Sequence, residues 1–177
     1  SGGLYNPHGL DITAINQHVA NHPRRLLEGY EAPGVENISN DELLISDVDV
    51  LIPAALEHQI RADNAPDVRA KMIVEAANGP TTREADEILN DRGAIVVPDI
   101  LANAGGVVVS YFEWVQDLQC FFWDEDEVNQ NLKRIMVRSF KEVWDFAQEQ
   151  EAPLRLGAYM LAVDRVAGAV RARGIFP

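Results

Sequence analysis

The sequence predicts an α/β fold: a truncated Rossmann-like parallel sheet followed by a helical C-terminal segment. Three observations carry that prediction. The short, largely apolar runs Val48–Ile52, Met72–Val74 and Ile95–Val97 suit strands buried on both faces of a parallel sheet. Stretches with helical spacing of apolar residues stand before and between them. From Asp124 onward the spacing is helical, with one break at Pro153.

Each element has a local reason. Asp11 is placed to cap a helix in which Ile12, Ile15 and Val19 share one face, ending before Pro23. Pro33-Gly34 marks a loop. Ser39-Asn40-Asp41-Glu42 has capping-box spacing, which opens a short helix. Pro53 ends the first strand, and Thr81-Thr82-Arg83-Glu84 opens a helix through Leu89, with Gly93 suited to its end. Ala94 to Val97 then runs into the turn-forming pair Pro98-Asp99. Asn103 stands just before Gly105-Gly106, after which an apolar helix begins. Such glycines let a ligand approach the backbone at a helix N-terminus, and a tight strand-to-helix connection uses the same residues. Val128, Leu132, Ile135, Met136, Val143, Trp144 and Ala147 keep close to helical spacing behind Asp124–Glu127, whose charges complement a helix N-terminus. Leu156, Met160, Val163, Ala167 and Val170 mark a final helix, with Gly174 just past its end.

Composition narrows the class. Nearly half of the 177 residues are apolar, enough for a buried core. No apolar run approaches the ~18 residues of a membrane span. The net charge of −13 repels nucleic-acid phosphates and anionic lipids, so neither nucleic acid nor membrane is expected as a partner. A single cysteine, Cys120, excludes an internal disulfide and fits a reducing, cytoplasmic setting. It neighbours Phe121, Phe122 and Trp123 and reads as a small apolar filler. His8, His18, His22 and His58 lack metal-ligand spacing, and surface positions are expected for the i, i+4 pair His18 and His22.

Several long blocks resemble one family. Pro98 through Ser110, continued by Tyr111-Phe112-Glu113-Trp114-Val115-Gln116, resembles the glutamate dehydrogenases of the amino-acid dehydrogenase superfamily. Gly2-Gly3-Leu4-Tyr5-Asn6-Pro7-His8-Gly9-Leu10-Asp11 is similar to the family's segment just after the second strand of its nucleotide-binding domain. Asp49–Glu57, Val74–Thr82 and Ala158–Gly174 match further blocks in family order, so the likeness covers essentially the whole chain.

No G-x-G-x-x-G occurs, and neither Gly2-Gly3 nor Gly105-Gly106 has the strand–turn–helix pattern that fingerprint needs. In the family it lies upstream of the segment matched here, as does the substrate domain with the catalytic lysine and aspartate. With no initiator Met, the chain is therefore expected to be the C-terminal part of a longer enzyme. Residues 1–150 would be the C-terminal portion of a dinucleotide-binding domain and 151–177 a C-terminal helix. No catalytic residue is expected within it.

The resemblance also assigns roles. Asn78, at the end of a predicted strand, is expected to meet the nicotinamide ribose, although an Asn before Gly-Pro also stabilises its own turn. Ala54 and Ala55 hold the matching position on the preceding strand, where small side chains suit close cofactor approach or helix–strand packing. Asn103 is expected near the nicotinamide amide, which a neutral side-chain amide can orient. Val107 is expected to line the substrate pocket and Ser110 to hold the side-chain carboxylate of glutamate. Read without the family, Ser110 would bond back to its own helix. Asp117 and Cys120 depart from the family's usual Asn and Gly.

The implied activity is oxidative deamination of L-glutamate to 2-oxoglutarate and ammonia with NAD or NADP, in a homo-oligomer, this chain alone being inactive. The alternative is a non-catalytic, self-associating fragment or interaction module that binds no cofactor. It rests on strand order: Val48–Ile52, Met72–Val74 and Ile95–Val97 would be neighbours 4, 5 and 6, leaving strand 4 without strand 1.

Overall fold

The computed structural model describes residues 2–174. Its centre is a parallel sheet of β3 (Val50–Leu51), β4 (Met72–Val74) and β5 (Ile95–Val97), in the order β3-β4-β5. Register is set by Val50 opposite Met72 and Ile73 opposite Val96. Alternate residues supply the two faces. Ile73 and Val96 enter a cluster with Ile60, Val68, Ala85 and Leu89. Val97, joined by Val74, enters a second cluster with Leu101, Val143, Ala147, Leu154 and Ala158. Burying side chains of this size stabilises by about 1.5–3 kcal/mol each, so the sheet requires layers on both sides.

The helices begin where the caps place them. Asp11 accepts the Ala14 N–H at the start of α1 (Ile12–Asn21), and Ser39 with Glu42 closes the reciprocal capping box of α2 (Asn40–Leu44). Thr82 caps α3 (Arg83–Asp91), with Gly93 beyond it at φ +77°. Two further helices, α4 (Asp99–Ala102) and α5 (Gly105–Gln119), follow β5. Asp124 caps α6 (Glu125–Glu149), and α7 (Leu154–Arg173) completes the described chain, ending at Gly174. Residues 175–177 of the expected C-terminal helix lie outside the described residues.

Five features differ from the sequence reading. The run Val48–Ile52 supplies only Val50–Leu51 as a strand, and the face carrying Val48, Val50 and Ile52 is exposed rather than covered, because nothing packs over that side of the edge strand among the described residues. Gly3–Tyr5 (β1) and Glu36–Ile38 (β2) form an antiparallel pair over a small cluster of Leu4, Ile15 and Tyr30. Three-residue strands carry too little alternation to be read from sequence. The crossing after β5 is made in two steps, with α4 interposed. The apolar stripe Leu156, Met160, Val163 and Val170 faces outward, while Leu154, Gly157 and Ala158 bury the opposite side of α7. Small residues decide that face, because they let α7 approach α6 closely. Finally, Cys120 is exposed rather than packed. It ends α5 in the left-handed conformation (φ 50°, ψ 35°), which turns its side chain out of the helix and into solvent.

Candidate functional site

An open cleft of ≈ 900 Å³ lies beyond the C-terminal ends of the parallel strands, between the turns after β3 and β4 and the start of α5. This is the position at which open α/β sheets receive ligands. Ala55, Asn78, Asn103 and Val107 all line it, together with Leu56, Ala76, Ala77, Ile100, Ala104 and Glu57. Glu57 is the one charged residue in that lining. Ala54 is exposed on the same turn but is not in the lining.

The turn carrying Asn78 is held from several sides. The Ala76 and Ala77 N–H groups donate to Pro53 O at 3.0 and 2.8 Å, joining it to the turn that bears Ala54 and Ala55. Gly79 adopts φ +54°, a left-handed conformation that favours glycine, and its N–H donates to Asp99 Oδ2 at 2.8 Å. Asn103 sits at the C-terminal end of α4. Its Nδ2 donates to Asn78 Oδ1 at 2.6 Å and reaches Ala76 O at 3.4 Å. Asn78 Nδ2 and Asn103 Oδ1 make no hydrogen bond among the described residues, leaving one amide donor and one acceptor at the cleft.

Next to Asn103, α5 begins without a side-chain cap, Ala104 being its N-cap residue. Unpaired N–H groups and the positive end of the helix dipole therefore stand at the cleft rim. Val107 is 70 % exposed in the first turn. One turn on, Ser110 is exposed, and its hydroxyl donates to Gly106 O at 3.2 Å. It does not line the cleft.

A buried ionic group stands behind the turn. Glu75 is fully buried; its Oε1 accepts from Arg155 Nη2 at 2.7 Å and its Oε2 from the Asp99 N–H at 2.9 Å. Arg155, from α7, also reaches Asp86 Oδ1 at 3.1 Å and Asp99 Oδ1 at 3.5 Å. Burial disfavours the charge on Arg155, but hydrogen bonds to Glu75 and Asp86 outweigh it and hold the guanidinium protonated beyond its ordinary range. Sequence reasoning missed Glu75, Asp86 and Arg155. The available signal was Glu75 itself, a lone carboxylate directly after an apolar strand, since such groups are rarely buried unless paired. Among the described residues no cluster of His, Cys, Asp or Glu could hold a metal ion, and no helix is long and apolar enough to cross a membrane.

This chain is 53 % identical over 176 residues to the glutamate dehydrogenase of Thermotoga maritima. It is 48 % identical to the cryptic catabolic NAD-specific glutamate dehydrogenase GudB of Bacillus subtilis and 49 % identical to the NADP-specific glutamate dehydrogenase of Synechocystis. These matches cover 98–99 % of this chain and 39–42 % of the relatives, so the chain spans about two-fifths of their length. The hetero-hexameric glutamate dehydrogenase of Thermus thermophilus in its Leu-bound form superposes with a TM-score of 0.85 at 36 % identity, over 99 % of this chain and 40 % of that one. The family model for Glutamate/Leucine/Phenylalanine/Valine dehydrogenase matches residues 1–174. The chain belongs to the Glutamate/Leucine/Phenylalanine/Valine dehydrogenase family.

Proposed function

We propose that this chain builds the nicotinamide side of the cofactor cleft, and part of the substrate pocket, of an NAD- or NADP-dependent glutamate dehydrogenase. That enzyme would interconvert L-glutamate with 2-oxoglutarate and ammonia. On this reading residues 1–150 are the C-terminal portion of the dinucleotide-binding domain, and the segment from 151 onward, which carries α7, is its C-terminal helix. The observation that carries the reading is the Asn103–Asn78 hydrogen bond, which aims a spare donor and a spare acceptor at a cleft beyond the strand ends.

The donor set fits a nicotinamide and its ribose. Both are uncharged, and neutral amides match a carboxamide and hydroxyl groups without adding charge. The lining residues carry one charge, the carboxylate of Glu57, and are otherwise neutral, which suits uncharged groups. When bound, the nicotinamide carries the hydride. The chain's own residues bind and orient: Asn103 the carboxamide, Asn78 the ribose, with Ala54 and Ala55 leaving room for close approach. Val107 packs against the substrate. Ser110 gives its hydroxyl to the substrate's side-chain carboxylate, exchanging Gly106 O for a charged acceptor. None of these side chains can take up a proton at neutral pH, which supports an inactive chain. Purified chain should bind NADH saturably yet show no glutamate-dependent reduction of NAD or NADP. Turnover would contradict the assignment of proton transfer to residues outside this chain.

A second reading, a self-associating fragment, is favoured by one observation. Among the described residues β3 pairs only with β4, and Val48, Val50 and Ile52 are exposed along it. An apolar edge of this kind is a template for another chain.

A further inference from the structure

We propose that Arg155 is a positioning residue of the cleft, a clamp that fixes Asn78 and Asn103 without touching the ligand; this rests on the cofactor reading above. The connections run from the guanidinium in two directions. Through Glu75 it reaches the Asp99 N–H, and so the start of α4, whose C-terminal end carries Asn103. Beside Asp99 it faces Oδ1, while Oδ2 of the same carboxylate takes the Gly79 N–H and sets the turn next to Asn78. Both amides are therefore placed by groups that bear directly on Arg155.

Stability alone is a poor account of this group. Desolvating ions is expensive, and well-packed apolar residues commonly replace a buried ion pair without loss. What the arrangement supplies is geometry. A planar guanidinium presents fixed donors to several carboxylates at once, whereas an ammonium is a single point charge on a flexible stem. Glu75 and Asp99 each use both oxygens, so displacing Arg155 shifts the acceptors of Asp99 N and Gly79 N together.

Arg155→Lys keeps a positive charge beside Glu75 while losing the fork, and Arg165→Lys, on the exposed part of the same helix, is the control. The readouts are the ¹⁵N-correlated signals of the Gly79 N–H and of the Asn78 and Asn103 side-chain amides, with NADH affinity from fluorescence titration. Unchanged far-ultraviolet circular dichroism establishes folding. The expected result for Arg155→Lys is movement or broadening of all three signals and an NADH Kd raised about tenfold, as when the support behind a site is loosened. Arg165→Lys should leave both unchanged. A folded Arg155→Lys protein with native signals would overturn the proposal, as would native affinity. If Arg155→Lys does not fold, Asp86→Ala decides. Asp86 bonds Arg155 and Asn90, not the turn, and Asp86→Ala in the same test removes the acceptor as well as the charge; movement at Gly79 in Asp86→Ala supports the clamp and its absence refutes it. If the wild-type chain binds no NADH, the cofactor reading fails, while the amide signals still decide the role of Arg155.

Discussion

Asn103 and Asn78, 25 residues apart, share a side-chain hydrogen bond of 2.6 Å across the strand-end cleft. Neither amide could be held this way by its own turn. Asn103 is placed by α4 and Asn78 by the left-handed Gly79. Two connections at the strand ends thus converge on one polar pair in the lining of the cleft.

The close approach of α7 to α6 makes Gly157 irreplaceable in size. A Cβ there would stand 2.7 Å from Ala147 Cβ and 3.0 Å from Ala147 Cα, with Ala147 fully buried. Alanine gains about 1 kcal/mol in helix propensity. Overpacking a rigid contact costs about 1–3 kcal/mol, and here it wins. Gly157→Ala should lower stability by about 1 kcal/mol in a denaturant titration, with partial relief from Ala147→Gly in the double variant. An unchanged or raised midpoint would contradict this packing.

Cys120 holds a left-handed conformation at φ 50°. A side chain costs about 1–2 kcal/mol there. Cys120→Gly, its own backbone entropy deducted, should raise stability by about 0.5–1 kcal/mol. Thermal melts of the two proteins check it.

Glu42 answers to pH. Its pKa is lowered below 4.5, chiefly by the Ser39 backbone N–H and then by the Ser39 hydroxyl. The folded value lies under the unfolded one, so its contribution is present above pH 4.5 and lost as pH falls through the depressed folded value. Acidification below pH 4.5 should loosen the start of α2, seen as faster hydrogen exchange at Ser39 N–H. Glu42→Gln keeps an acceptor but cannot titrate, and should remove that pH dependence.

The β3 edge is expected to drive self-association. The apparent mass in light scattering should rise with concentration, and Val50→Lys, at a site 46 % exposed, should suppress the rise. A wild-type chain that stays monomeric across a wide concentration range would rule out the edge as a contact.

How much of this was legible in the sequence follows from range. Asp11, Ser39, Thr82 and Asp124 each cap a helix through neighbours three residues away, and all four helix starts could be read. Met72–Val74 and Ile95–Val97 were legible because both faces are covered, which removes polar alternation. Asn78 and Asn103 were legible only through the family resemblance; nothing in their neighbours tells that one would bond the other. The Arg155–Glu75 contact spans 80 residues and has no local signature. The packed face of α7 was missed for a different reason: Gly157 and Ala158 carry little hydrophobicity, yet they let the backbones meet.

A fluorescence titration of the purified chain with NADH, repeated with NADPH and with Asn103→Ala, tests whether the Asn78–Asn103 pair forms the nicotinamide side of a dinucleotide site. Saturable binding is expected, competed away by nicotinamide mononucleotide but not by ADP and weakened about tenfold by Asn103→Ala, on the order of one lost hydrogen bond. No saturation up to millimolar cofactor, or binding indifferent to Asn103, would contradict that role of the pair.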